Sequence, residues 1–314
     1  MPLAQDQTIP TAAPRRGGAR RWAGQASTAW LLIAPAVALV GLFTVYPLGN
    51  ALWTSFQSSS PLLRATFVGL QNYQEVAESG YFLKAFQVTA GFTLVTVILT
   101  TVMALGAASL LRETFRGRRL LRPLTLLPWA VPLVVTGVMW RWIFNPQWGA
   151  LNAVLYSTGV IDKYIPWLSD PNLAFISVAI AHTWSQLPLA TIFLLGALQA
   201  VPREEYEAAS IEGAGVLERF RFITLPNIRT VLVIVVLFEV LMGLTAYDIT
   251  YSMTAGGPGT ATSLVSYFTW SEAFKQLNFG HGAALAVIIA AVALVLITAI
   301  LRALPRGALS EDQA

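Results

Sequence analysis

Residues 207–226 read EAASIEGAGVLERFRFITLP, a polar, glycine-punctuated stretch held between two long apolar runs. Its first part continues from Arg203 and carries acids at 204, 205, 207 and 212, with Ala208, Ala209 and Ile211 between them. That is helix-forming composition with acids early in the helix. Gly213-Ala214-Gly215 permits a sharp turn. Val216, Phe220 and Ile223 then follow at i, i+4 and i+7, one face of a second short helix, which Leu225-Pro226 is expected to end before the next apolar run. The object is a helix-turn-helix knob or, on spacing alone, an amphipathic connector lying on a membrane surface.

The apolar runs on either side set the class. The 314 residues are 55% hydrophobic and only 11% charged, with a mean hydropathy of +0.61. A hydrocarbon core ~30 Å thick needs about 20 apolar residues in helix. Six segments meet that length: 29–53, 86–110, 124–144, 173–198, 231–253 and 282–304. Pro35, Pro47, Pro128, Pro132 and Pro188 within them predict kinks, which a packed membrane bundle tolerates. The expected fold class is an all-α integral membrane protein with six spans.

Cationic residues orient the spans. Arg15, Arg16, Arg20, Arg21, Arg112, Arg116, Arg118, Arg119, Arg122, Arg203, Arg219, Arg221, Arg229, Arg302 and Arg306 fall on one side. Arg64, Lys84, Arg141, Lys163 and Lys275 fall toward the other. The positive-inside rule makes the first side cytoplasmic, so both termini and the 203–226 loop are expected inside. The first span is too long for the apolar region of a cleaved signal, and Arg15-Arg16 reads as an orientation signal. Residues 1–27 and 305–314 are expected as cytoplasmic tails around a membrane domain spanning 28–304.

Several functions are excluded by composition. With no cysteine, disulfides, thiol catalysis and thiolate metal centres are ruled out, and His182 and His281 are too far apart in sequence to suggest a metal site. The net charge of +4 lies beside apolar spans, which speaks for topology and against nucleic acid.

Residues 207–226 resemble the EAA loop of ATP-binding-cassette import permeases: EAA, three residues, glycine, about nine residues, then an apolar residue shortly before LP. Here Glu207, Ala208, Ala209, Gly213, Leu225 and Pro226 occupy the pattern, with Ile223 as the apolar residue. Glu212 stands where aspartate is commoner and Thr230 where a second proline is frequent. The resemblance implies that the knob docks in a cleft of a separate ATPase subunit. YPLGNALWTSF (46–56), FVGLQNY (67–73), WRWIFNPQWGALN (140–152) and YDITYSMTAGGPGTAT (247–262) resemble sugar-import permeases of the maltose and glycerol-phosphate type, the first of two paired permeases. What this implies is a six-helix type I importer core in a bacterial or archaeal cytoplasmic membrane. Its implied partners are a second homologous permease, two ATPase subunits, an extracytoplasmic solute-binding protein, a sugar and membrane lipid.

The energy source is expected elsewhere. A phosphate-cradling P-loop needs glycine, then lysine, then serine or threonine. Lys84, Lys163 and Lys275 follow Leu83, Asp162 and Phe274, so no such loop exists in the chain. ATP and magnesium would be held by the partner, with no cofactor, metal or catalytic residue here.

Polar residues within spans are costly and mark candidate pathways. Trp184, Gln186 and Thr191 in the fourth span, and Glu239, Gly243 and Tyr247 in the fifth, combine the aromatic, amide, hydroxyl and carboxyl groups that bind sugars. Packing accounts for Trp184 and Glu239 equally well. Asp248 fits a capping or gate-supporting position, Arg141 between Trp140 and Trp142 an interfacial anchor, and AGGPGTATS (255–263) a tight-turn scaffold. An ion-coupled secondary transporter would need internal repeats and buried ion-binding charges, and no repeat is evident. An intramembrane enzyme would need a close acid pair, whereas Glu239 and Asp248 on one helix would be separated by about 13 Å of rise.

Overall fold

The computed structural model describes residues 30–61 and 63–303. The tails read at 1–27 and 305–314, with their arginines, lie outside the described residues. The described chain is mostly helical, as a bilayer requires of backbone that finds no water to bond.

Two units are distinguished, Met1–Ala51 and Leu52–Ala314. The described part of the first consists of most of α1 (Trp30–Thr54), a helix that is apolar all round, with one π turn at Gly41–Val45. The second unit opens with a small antiparallel hairpin, β1 (Gln57–Ser60) and β2 (Leu63–Phe67), which the sequence reading did not foresee. Gln57 pairs with Phe67 and Ser58 with Thr66 before a bulge at Ser58–Ser60. Then come α2 (Gln71–Glu78), the long α3 (Gly80–Arg112), α4 (Arg118–Thr125), α5 (Leu127–Ala130), α6 (Leu133–Ile143) and α7 (Ala150–Ser157). The second half holds α8 (Pro171–Ala200), α9 (Arg203–Ile211), α10 (Val216–Leu244), α11 (Tyr247–Met253), α12 (Val265–Trp270) and α13 (Phe279–Ala303).

Among the described residues five helices (α1, α3, α8, α10 and α13) are long and apolar enough to cross a membrane. The third expected span, 124–144, is not one helix. Arg118–Ala130 and Leu133–Ile143 meet at 95°. The cause is Pro132, which drives Val131 into extended backbone and cannot continue the ladder. Counting that bent pair gives the sixth span. The fifth expected span, 231–253, is also divided: α10 stops at Leu244, and Thr245-Ala246 separate it from α11. Glu239 and Asp248 therefore do not share a helix.

The core forms around α8, which packs most extensively on α3 and also touches α5, α6, α10 and α11. Ala104 and Ala108 on α3 and Ala190 on α8 keep backbones close, with Leu194, Leu198 and Ile228 filling the space between them. A second cluster joins Phe92, Val178, Ala181, Ile249, Met253 and Leu264. Buried threonines return their hydroxyls to their own helices: Thr89 to the Ala85 carbonyl at 2.8 Å and Thr96 to Phe92 at 2.9 Å.

The hairpin and α2 are clipped to the start of α13. Asn72 Nδ2 donates to the carbonyls of Ser55 and Gln57 at 2.8 and 2.9 Å, and Gly280 leaves room for that contact. His281 Nε2 lies 2.8 Å from Glu75 Oε2, while its Nδ1 lies 3.4 Å from Glu272 Oε2. The Gln71 side-chain bond, and then His281, hold the Glu75 carboxyl below the usual value of 4.5. A lowered carboxyl stabilises the fold above its ordinary value and stops doing so as pH falls through the native one. Glu75→Gln is therefore expected to lower Tm by about 1–2 °C at pH 7, as suits a half-exposed pair. In calorimetry of the purified protein that deficit should disappear as the pH drops below the carboxylate range.

Candidate functional site

The knob is built as the glycine spacing demands. At the end of α9, Gly213 adopts φ 85°, the left-handed region that a side chain resists. The Gly213 N–H donates to the Ser210 carbonyl at 3.2 Å and the Ala214 N–H to Ala209 at 2.9 Å, which closes a Schellman cap. The carboxylate of Glu218 accepts from the Gly215 N–H at 2.7 Å and starts α10. Three bridges tie the two arms of the knob together. Arg219 Nη1 donates to Ser210 Oγ at 2.8 Å, Asn227 Nδ2 donates to Glu205 at 2.9 Å, and the Tyr206 and Thr224 hydroxyls meet at 2.9 Å.

The knob's second arm does not end at Leu225-Pro226, contrary to the sequence reading. It continues as one helix from Val216 to Leu244. Phe220–Thr224 form a π turn, and the Leu225 N–H reaches back to the Phe220 carbonyl. That wider turn immediately before Pro226 accommodates a ring that would otherwise disrupt an α-ladder. Knob and span are one rod.

Tyr206 anchors the rod to its neighbours. Arg112, at the end of α3, stacks over its ring with the guanidinium carbon 4.6 Å from the centroid. Tyr206 and Ile223 also pack against the Ala104–Leu111 and Leu194–Val201 core. Neither the Tyr206 contacts nor the continuity through Pro226 was read from the sequence. A lone half-buried tyrosine in an acidic segment gives no signal until α3 is placed beside it.

Glu207 is exposed, as are Ala208 and Gly213, and Ala209 is half-buried. The apolar residues around them face outward: Ile211 is 88% exposed, Val216 78%, Leu217 77% and Phe222 70%. Val216 thus leaves the face shared by Phe220 and Ile223. A hollow of about 640 Å³ runs between the arms, lined by Ala208, Ala209, Glu212, Gly213, Phe222 and Ile223. A solvated apolar surface of this kind, ringed by charge, marks a protein interaction site.

The six polar span positions fall into separate neighbourhoods. Trp184 meets Trp140 edge-on at 5.9 Å, and Trp140 stacks on Phe144 at 5.3 Å. Gln186 is buried beside Ser185, its Nε2 3.5 Å from the hydroxyl. Thr191 is buried and donates to the Leu187 carbonyl at 2.7 Å, so its hydroxyl is already engaged within its own helix. Glu239 is fully buried and faces Thr100 of α3, and among the described residues neither carboxyl oxygen makes a hydrogen bond of full geometry. Gly243 sits where a methyl group would come within 2.8 Å of Thr93 Oγ1, so glycine permits the crossing of α10 and α3. Tyr247 lies in an aromatic group with Tyr251 and Trp270, centroids 5.4 and 5.6 Å away.

Asp248 falls in the first turn of α11, one residue past its start, and Ser252 bonds to its carbonyl. Beyond α11, Ala255, Gly256 and Gly259 take positive φ, and Thr262 bridges Thr254 and the Gly257 carbonyl, a turn scaffold as expected. Trp142, exposed beside Arg141, meets Trp148 edge-on at 5.4 Å. Among the described residues no group of acids and histidines has the grouping of a metal site.

Residues 101–306 match the family model described as binding-protein-dependent transport system inner membrane component. The chain belongs to this family. The permease is 36% identical over 265 residues to the trehalose/maltose transport system permease protein MalF of Thermococcus litoralis, covering 84% of this chain and 89% of that one. It is 35% identical to the sulfoquinovosyl glycerol transport system permease protein SmoG of Agrobacterium fabrum, covering 90% and 92%. The sn-glycerol-3-phosphate permease UgpA of the same organism is 32% identical, covering 85% and 91%. The permease superposes on a chain of a bacterial ABC transporter that imports alginate with a TM-score of 0.77 at 18% identity, covering 90% of this chain and 97% of that one. The fold is the type I importer core.

The Gly243 crossing gives a direct test. Gly243→Ala should destabilise the permease by about 1–3 kcal/mol through overpacking. Adding Thr93→Ala should recover most of the loss, measured as a double-mutant cycle in thermal unfolding.

Proposed function

We propose that this chain is one of two paired permease subunits of an ATP-driven importer that moves a sugar or sugar derivative from an extracytoplasmic binding protein. Two ATPase subunits dock on residues 203–226 and hold the ATP and magnesium, and the chain itself performs no chemistry. Both termini and the knob face the cytoplasm, and 28–304 forms the membrane domain.

One observation carries the reading: the solvent-exposed knob is continuous with α10 and is braced by Tyr206 to the ends of α3 and α8. A displacement imposed on Leu217, or on Glu207 through the bridges between the two arms, is passed along a rigid helix toward Glu239, about 30 Å from Leu217 at 1.5 Å per residue. The missing P-loop supports an external motor. The named relatives support a sugar, sugar-glycerol or glycerol-phosphate cargo, and the alginate transporter seen with its pentasaccharide-bound periplasmic protein supports delivery by a binding protein. An ion-coupled carrier has no use for such a knob.

For the pathway we retain Trp184, Gln186, Glu239 and Tyr247 and assign Thr191 and Gly243 to packing. Tyr247 supports the choice, since it lies with Tyr251 and Trp270 where Thr245-Ala246 interrupt the helix. Interrupted backbone in a membrane protein lines cavities or is buried in protein. Flat aromatic faces there suit the apolar face of a sugar ring.

The coupling claim is tested in the assembled complex. Glu207→Arg and Tyr206→Ala should each cut binding-protein-stimulated transport about tenfold or more, equal to ~1.4 kcal/mol of coupling. Membrane insertion and basal ATP hydrolysis should persist. Tyr206→Phe, which keeps the ring under Arg112, should retain most transport. Unchanged coupling in Glu207→Arg would remove the docking assignment. In the membrane, Glu239→Gln should change the KM or maximal rate of uptake at normal expression; wild-type kinetics would leave Glu239 with packing alone.

A further inference from the structure

Most of the arginine-rich stretch from the end of α3 to α5 makes no contact described for the knob. Residues 112–125 contain Arg112, Arg116, Arg118, Arg119 and Arg122 against a single acid, Glu113. Arg112 is engaged with Tyr206. Arg118, Arg119 and Arg122 line a separate open hollow of about 460 Å³ with Thr114, Phe115 and Gly117. No acid pairs with any of the three among the described residues. The adjoining hollow, by contrast, sets Glu113 and Glu207 among Arg112, Arg203 and Arg219.

Two further features point to a ligand of defined chemistry. The Arg122 Nε–H is shielded from solvent and has no acceptor, while Nη2 of the same guanidinium donates to the Leu111 carbonyl at 3.3 Å. The group is therefore held in place with one donor unused. In addition, α4 is amphipathic. At 100° per residue Arg118, Arg119 and Arg122 occupy one side, and Leu120, Leu121 and Leu124, all exposed, occupy the other. Because the 95° elbow turns this arm of the bent span away from Leu133–Ile143, the pattern suits a place along the interface, leucines toward acyl chains and arginines at headgroup level.

We propose that Arg118, Arg119 and Arg122 form a binding site for the phosphate of an anionic glycerophospholipid. Three guanidiniums without acids match a phosphate diester by charge-assisted bonds and repel the ammonium of a zwitterionic headgroup. Free phosphate would satisfy the arginines but leave the leucine face without a purpose. A lipid satisfies both. Gly117, at φ 93°, turns the chain sharply into α4 with no side chain over the hollow. The bound lipid would brace the Leu111–Arg122 contact and, through α4 and α5, the Val131–Pro132 elbow.

The test uses the complete purified complex, with its second permease and ATPases, in neutral detergent. Phosphatidylglycerol and phosphatidylcholine of identical acyl chains are added, and retained lipid is counted by native mass spectrometry. Wild type should retain phosphatidylglycerol over phosphatidylcholine by about tenfold or more. The double variant Arg118→Gln/Arg119→Gln should lose that preference, and Arg118→Lys/Arg119→Lys should keep much of it. Arg122 stays unchanged because it also holds the Leu111 carbonyl. Equal retention of both lipids by wild type, or undiminished preference in the glutamine variant, overturns the proposal. Displacement of phosphatidylglycerol by inorganic phosphate, but not by chloride of matched ionic strength, would reassign the hollow to a free anion and overturn the lipid assignment.

Discussion

The backbone bond from the Leu225 N–H to the Phe220 carbonyl is the contact on which the mechanical design rests. Pro226 has no N–H to give, and in a regular α-helix its ring presses on the carbonyl four residues earlier. The chain has two ways to meet that conflict, by stopping the helix or by widening one turn. It widens the turn. A stop would have placed a hinge between knob and membrane, where motion at one end could be absorbed. The widened turn leaves a continuous axis from Val216 to Leu244, steadied at its base by the ring of Tyr206.

Elsewhere the chain accepts the break. Val131-Pro132 turns the third span through 95°, and Thr245-Ala246 separates α10 from α11. Both breaks touch the α8 core through the helices that follow them, so the irregular backbone is backed by protein. Alanine and glycine at the crossings, such as Ala104, Ala108 and Gly243, substitute close approach for the hydrophobic driving force that lipid does not supply. Rigid rods and interrupted ones thus share one packed center, an arrangement suited to moving one part of a bundle against another.

Much of this was legible in the sequence because bilayers impose length and polarity so strictly. The apolar runs gave α3, α8 and α13 to within a few residues, and Gly213 announced the turn whose left-handed cap the structure contains. Pro132 signalled a kink but not its angle, which depends on what α6 packs against. Pro226 misled, because a proline after a short amphipathic segment ordinarily ends it and nothing local reports a π turn. The hairpin at 57–67 was missed for a different reason. QSSSP carries no alternation, and the strands are held by Asn72 and the start of α13, a long-range pairing. Among the span residues, chemistry alone could not separate Gly243, which lies against Thr93, and Thr191, whose hydroxyl bonds within its own helix, from Glu239, whose buried carboxyl faces Thr100. That distinction needs the neighbouring helix.

Ile211, Val216, Leu217 and Phe222 have a consequence for the life of the polypeptide in the cell. On the docking assignment they are covered only when the subunits have come together. Before that, a newly made copy presents an oily fingertip to chaperones and proteases. On that assignment the same residues would also serve as a label of incompleteness. Copies made in excess of their partners would be the first removed, and subunit ratios could be held by degradation instead of matched synthesis.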